Sequence, residues 1–256
     1  MRAVFFYNEA AAAGLDMTDR AGQETFLSIV VPAYNEEERL GPTLSALARY
    51  LAGQSFTSEI IVVDDGSTDG TAEVARGALE AAPGGRLIGR ARNLGKGFSV
   101  REGVLASRGR FVLFSDADLS TPIEEFGKFL PRLEQGDDVV IGSRALPDSV
   151  IEVRQARLRE GMGKAFNLLV RLFVLSGFRD TQCGFKAFRR EAAVELFSRL
   201  RTKGFAFDVE ILLLSRRLNY RVSEVPIVWR NSRSTRVRLL RSSWEMLRDL
   251  RRILSL

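Results

Sequence analysis

The chain has 256 residues, with one cysteine and no histidine. Without imidazole there is no Ser-His-Asp triad, Cys-His dyad or histidine-ligated zinc, and Cys183 alone closes no internal disulfide. The formal charge is +6, and eight arginines against Glu245 and Asp249 place all of it in residues 230–256. A neutral globule with a basic end suits an anionic partner.

Residues 1–25 carry only a short apolar patch at Val4–Tyr7, and are expected to be a poorly ordered extension without a signal peptide. Phe26–Val31 is a continuous apolar, β-branched run, as in a strand buried on both faces. Helical spacing follows over Glu37–Leu51, a second buried strand at Glu59–Val63 and a helix at Thr71–Ala82. A weaker strand is expected at Arg86–Arg90, a helix at Lys96–Ser107 and a strand at Arg110–Ser115. Pro122–Gln135 reads as a helix with proline near its first position, and Asp138–Gly142 as a strand. This alternation predicts an α/β fold, a mostly parallel central sheet flanked by helices.

Beyond Arg144 the pattern changes. Arg154, Arg157 and Arg159 lead into an apolar helix, Lys164–Leu175. A short strand at Gly184–Phe188, helices at Glu191–Leu200 and Asp208–Arg217, a strand at Arg221–Trp229 and a helix at Leu239–Leu254 follow. One domain is therefore expected over 26–236, with halves 26–144 and 145–236, before a basic C-terminal helix in 237–256. The longest apolar run, Ala165–Leu175, is interrupted by Asn167 and Arg171 and falls short of the ~20 residues that span a bilayer. No transmembrane segment is expected. In the last helix Leu240, Trp244, Leu247, Leu250 and Leu254 share one face, and Arg241, Arg248 and Arg252 another. That pattern suits a helix lying on an anionic membrane surface, or one packed on the core with solvated arginines.

Ligands of open α/β sheets gather at the carboxyl ends of the strands. Three polar clusters fall there: Pro32-Ala33-Tyr34-Asn35-Glu36, Asp64-Asp65-Gly66-Ser67-Thr68-Asp69-Gly70, and Ser115-Asp116-Ala117-Asp118. Each has an ordinary explanation alone, as a turn closing a strand or acids capping a helix. Together they would form an anionic pocket that needs a cation. Hard Mg²⁺ or Mn²⁺, held by carboxylates and substrate phosphates, fits an oxygen-only set. No G-x-G-x-x-G follows the first strand, which speaks against a dinucleotide dehydrogenase. No basic patch interleaved with aromatics is present, so no nucleic-acid partner is expected.

These clusters, with Asn93-Leu94-Gly95-Lys96-Gly97, resemble the family 2 glycosyltransferases of the GT-A fold. Gly142-Ser143-Arg144, Asp180-Thr181-Gln182-Cys183-Gly184-Phe185-Lys186, Phe205-Ala206-Phe207-Asp208-Val209-Glu210 and Val225-Pro226-Ile227-Val228-Trp229-Arg230 are similar to the dolichyl-phosphate glucosyltransferase branch. That branch is close to the dolichyl-phosphate mannose synthases. The resemblance spans about residues 26–254. It implies a nucleotide-sugar-binding half, 26–144, and an acceptor-binding half, 145–236.

It also implies residue roles. Pro32, Tyr34, Glu36, Val63 and Asp65 would line the base and ribose. Asp116 and Ala117 would border the diphosphate, and Asp118 would be the main ligand of the metal, with Asp116 beside it. Lys96, Arg230 and Arg236 would face the donor. Arg144 would reach a donor or acceptor phosphate. By charge rather than by resemblance, Arg154, Arg157 and Arg159 would join it at the acceptor phosphate, or else form a solvated face. Asp180 would serve as a carboxylate base or orient a basic side chain.

Departures are Leu119-Ser120-Thr121 where the branch has Gly-Ala-Thr, Ser234-Thr235-Arg236 where it has Gly-Ser-Lys, and no match to its N-terminal anchor. The implied activity is inverting transfer of a hexose from a nucleotide sugar to a polyprenyl phosphate. UDP-glucose is the expected donor and GDP-mannose the alternative, on the cytoplasmic face of a membrane with the enzyme bound peripherally. A soluble acceptor and a non-catalytic nucleotide-sugar-binding module are the rival readings.

Overall fold

The computed structural model describes residues 24–82, 84–153, 177–231 and 248–253, with positions 161, 163, 167, 168, 170, 174, 175 and 246. Most of the expected extension, of the Lys164–Leu175 helix and of the last helix lies outside the described residues, as do Arg154, Arg157, Arg159 and Arg236. Strands β1 (Leu27–Ala33), β2 (Ser58–Asp64), β3 (Arg86–Gly89), β4 (Phe111–Ser115), β5 (Val139–Ser143), β7 (Phe185–Arg189) and β8 (Val222–Pro226) form one sheet, ordered β3-β2-β1-β4-β7-β5-β8. All its pairings are parallel except those of β7, which runs antiparallel to β4 and β5.

Strand residues alternate between two helical layers because successive side chains point to opposite faces. Leu27, Ile29 and Val31 pack with Leu40, Leu44, Leu47 and Leu51 of α1 (Glu37–Ala52), Leu79 of α2 (Thr71–Glu80) and Phe129 of α4 (Phe126–Glu134). Val30, Val112 and Phe114 pack with Val100 and Val104 of α3 (Lys96–Ala106), Phe197 of α5 (Arg190–Arg199) and Phe207 and Ile211 of α6 (Phe207–Arg217). The β1, β2 and β4 residues are almost wholly buried, which explains their unbroken apolar runs.

Three expectations are corrected. The strand expected at Arg221–Trp229 divides at Ile227. β8 stays in the main sheet, while β9 (Val228–Arg230) turns away to pair with β6 (Val150–Val153) in a separate two-stranded ribbon. β6 matches no element expected from the sequence, and all four of its residues are exposed. The helix expected from Pro122 begins as a 3-10 turn, Ile123–Glu125, and becomes α-helical at Phe126.

Candidate active site

The parallel register brings the carboxyl ends of six strands to one edge. Ala33 stands opposite Asp64, and Ser143 opposite Pro226. Because β7 is antiparallel, its first residue, Phe185, lies beside Ser115, the last residue of β4. The Cys183-Gly184 backbone therefore reaches the same edge as Asp116. The strand order switches direction on either side of β1, where crevices form in such sheets.

The first two clusters are tied together. The Asn35 N–H donates to Ser67 Oγ (2.9 Å), and Asn35 Oδ1 accepts the Thr68 N–H (2.8 Å). The Glu36 N–H donates to Thr71 Oγ1 (2.7 Å), and Glu37 accepts the Gly70 N–H (2.8 Å). Asn35 takes a left-handed conformation (φ 55°), which its short polar side chain tolerates better than most. Tyr34 remains 43% exposed and free to meet a planar ligand. Val63 is fully buried, so its side chain belongs to the core and only its backbone faces the edge. Asp65 is buried, and both of its oxygens are engaged. They accept the Leu94 and Gly95 N–H groups (2.9 and 2.8 Å) and pair with Arg90 (2.9 Å). In this arrangement Asp65 anchors the loop that carries Lys96.

The third cluster lies at the centre. Lys96 Nζ lies 2.6 Å from Asp116 Oδ1. Asp118 Oδ1 accepts the Ser120 N–H (3.0 Å), while Oδ2 is 3.8 Å from Arg39. Arg39 also grips Glu36 through Nε (2.6 Å). Ala117 is held from below, its carbonyl accepting the Thr43 hydroxyl (2.7 Å). Gly184 closes the Asp116 side: the Asp116 N–H donates to its carbonyl (3.2 Å), and a Cβ there would lie 1.9 Å from Asp116 Oδ2.

A buried ion pair supports this wall. Lys186, 1% exposed, places Nζ 2.5 Å from Asp208 Oδ1 and also donates to the Cys183 carbonyl. Burial lowers the pKa of Lys96, but Asp116 and then Asp208 outweigh it, so the ammonium stays above its ordinary value. Burial is also the main influence on Asp208, whose carboxyl is raised despite Lys186 and Lys96.

One strand further on, Arg144 and Asp180 form a clamp. Asp180 accepts the Arg144 backbone N–H (3.0 Å), Nε (2.7 Å) and Nη2 (2.9 Å). Burial would raise the Asp180 carboxyl, but the Arg144 charge and its hydrogen bonds hold it below the usual range. A carboxylate so held is a poor proton acceptor. Its geometry orients Arg144, whose guanidinium lies 5.6 Å from the Trp229 ring. Arg230 pairs with Glu152 of β6 (2.5 Å), and its N–H donates to the Ser120 carbonyl (2.7 Å), so the ribbon is fastened to the Asp118 turn.

The donor set fits a hard divalent cation. Asp116 and Asp118 offer oxygens, and Cys183 is buried with its thiol pushed up to about 11. No group of three metal-ligating side chains occurs among the described residues. One or two carboxylates with substrate phosphates completing the shell is the usual Mg²⁺ or Mn²⁺ arrangement.

Sequence reasoning gave no role to Arg39, Arg90, Lys186, Asp208 or Trp229. Three signals were available. Arg39 sits one helical turn after Glu36, Arg90 ends a strand at the ligand edge, and Lys186 interrupts an otherwise apolar strand.

Comparison with known proteins places this geometry. The family model "Glycosyl transferase family 2" matches residues 28–197. The chain belongs to glycosyl transferase family 2. Among its relatives, the dolichyl-phosphate beta-glucosyltransferase of Dictyostelium discoideum is 38% identical over 89% of this chain and 73% of its own length. The enzyme of that name from Saccharomyces cerevisiae is 33% identical over 89% of this chain and 74% of its own. A crystal structure of glucosyl-3-phosphoglycerate synthase from Mycobacterium tuberculosis with Mn²⁺, UDP-glucose and phosphoglyceric acid superposes with a TM-score of 0.68. It shares 23% identity over 91% of this chain and 80% of that one, a likeness of fold. This chain is thus a family 2 glycosyltransferase on the expected α/β architecture.

Proposed function

We propose that this glycosyltransferase moves glucose from UDP-glucose to the phosphate of a dolichyl-type polyprenyl phosphate. The carrying observation is the Asp116-Ala117-Asp118 turn at the switch of strand order, flanked by Lys96, Arg39 and the Arg144–Asp180 clamp. The names of relatives identical at a third or more supply the acceptor and the sugar, and UDP is the carrier that the family resemblance implies. UDP-glucose is an α-glycoside, so a beta product requires inversion, which a single displacement gives.

Asp118 and Asp116 would hold Mg²⁺ or Mn²⁺, which when bound supplies positive charge to the departing diphosphate. The protein's own residues position the rest. Asp65 fixes the loop that presents Lys96 to the diphosphate side of the pocket. Tyr34 and Glu36 border the nucleoside. Arg144, oriented by Asp180 and Trp229, draws in the acceptor phosphate. That nucleophile is an anion already at neutral pH, so it needs no general base, in keeping with an Asp180 committed to Arg144.

Arg154, Arg157 and Arg159 follow β6 directly in sequence and would extend the cationic path to a lipid phosphate. No described helix is long and apolar enough to cross a membrane. The basic C-terminal helix would hold the enzyme peripherally at the cytoplasmic face.

The test is release of nucleoside diphosphate from a panel including UDP-glucose and GDP-mannose, with and without polyprenyl phosphate and with and without EDTA. UDP release that requires both UDP-glucose and the lipid, and that EDTA stops, is expected. Turnover with GDP-mannose alone, or with a soluble phosphorylated acceptor in preference to the lipid, would overturn the assignment.

A further inference from the structure

A cavity of about 650 Å³ lies outside every residue given a donor or acceptor role above. Leu94 and Gly95, the 201–204 loop and helical residues 248–253 enclose it. Four cations line it: Arg201, Lys203, Arg248 and Arg252. Its two acids are committed. Glu210 is buried and accepts the Arg201 and Thr202 N–H groups (2.9 and 2.8 Å), while Asp249 lies 3.8 Å from Arg252. No carboxylate among the described residues pairs with Arg201, Lys203 or Arg248.

Like charges gathered around one hollow repel, and a bound anion relieves that cost. The volume lies within the ~300–1,000 Å³ of ordinary ligand sites. Arginines offer the planar donor pairs that phosphate oxygens accept. Arg248 and Arg252 also belong to the segment that carries the whole excess charge of the chain.

We propose that this basic cavity is a second anion site, which takes a phosphate group separately from the nucleotide-sugar pocket. The phosphate is that of a membrane phospholipid headgroup or a free phosphate. The cavity wall touches the catalytic loop. Gly95 adopts φ 103° against the Lys203 carbonyl, from which a Cβ would stand 2.5 Å, and the Phe98 N–H donates to that carbonyl (3.3 Å). Occupancy therefore braces the loop that carries Lys96.

The test uses the full chain saturated with UDP and Mn²⁺, so that the donor pocket is filled. Inorganic phosphate is titrated by calorimetry, and sedimentation is measured with phosphatidylcholine vesicles with and without phosphatidic acid. The wild type is compared with Arg201→Gln/Lys203→Gln/Arg248→Gln and with a charge-matched control of exposed arginines away from both the cavity and the C-terminal segment, Arg49→Gln/Arg132→Gln/Arg217→Gln. The cavity variant is expected to bind at least about tenfold more weakly than the control, with thermal stability retained because its three side chains are exposed. Loss confined to free phosphate assigns the soluble source, and loss confined to phosphatidic acid vesicles assigns the headgroup. Equal losses in both variants would mean that net charge alone is sensed. That result, or no saturable binding of either probe to the wild type, overturns the site.

Discussion

Gly184→Ala adds one methyl group to the wall of the Asp116 pocket. The new Cβ would stand 1.9 Å from Asp116 Oδ2 and 2.4 Å from its Cγ. Non-bonded carbon and oxygen settle at roughly 3.4 Å, so the carboxylate must move by about 1.5 Å. The backbone cannot absorb this easily, because the Asp116 N–H is bonded to the Gly184 carbonyl. The side chain must swing instead, away from Lys96. A displacement of about 1 Å at a reacting centre can cost ~100-fold in rate, or roughly 2.7 kcal/mol of transition-state stabilisation. The carboxylate is 34% exposed and can rotate toward water, so the stability cost falls near the low end of the ~1–3 kcal/mol typical of overpacking. Continuous UDP-release assays should show kcat/KM reduced about 100-fold, while thermal unfolding falls by only a few degrees. Gly127→Ala in α4, where an added Cβ meets nothing within 4 Å, should retain full activity. A Gly184→Ala enzyme within a factor of about three of wild-type kcat/KM would refute the role given to this contact.

Asp118→Ala should nearly abolish UDP release and leave circular dichroism unchanged, since its side chain is 24% exposed and lies outside the core. Asp208→Asn leaves the Lys186 ammonium buried without its partner, at a cost of about 3–5 kcal/mol, read as a large fall in unfolding temperature. The same change removes support for the Lys96 charge, so the basic limb of the pH–rate profile should move down. Lys186→Met added to Asp208→Asn should recover part of the lost stability, because no charge is then left buried without a partner. Asp180 has a folded pKa below its ordinary 3.8, so its contribution to stability is complete above 3.8 and is lost as pH falls through the folded value. Urea unfolding should therefore separate wild type from Asp180→Asn at pH 7, and the gap should shrink at pH values below 3.8. A gap independent of pH would remove the ion pair as its cause.

The strand-end clusters were legible because parallel strands buried on both faces leave long apolar runs, and the polar residues that follow can only sit at the edge. Val30-Val31-Pro32, Ile61-Val62-Val63 and Phe111-Val112-Leu113-Phe114 told where the sheet lay, and so where Glu36, Asp65, Asp116 and Asp118 would emerge. Composition ruled out histidine chemistry outright. Tertiary structure decided the partners. Asp65 turned inward to a loop 29 residues on, Asp180 closed on Arg144 36 residues earlier, and Lys186 met Asp208 across 22. Only the antiparallel insertion of β7 between β4 and β5 sets Gly184 against Asp116, and only the break at Ile227 swings Trp229 over Arg144. Periodicity records which face of a strand or helix is buried. It is silent on which distant charge will be desolvated beside which, because that depends on strand order and register.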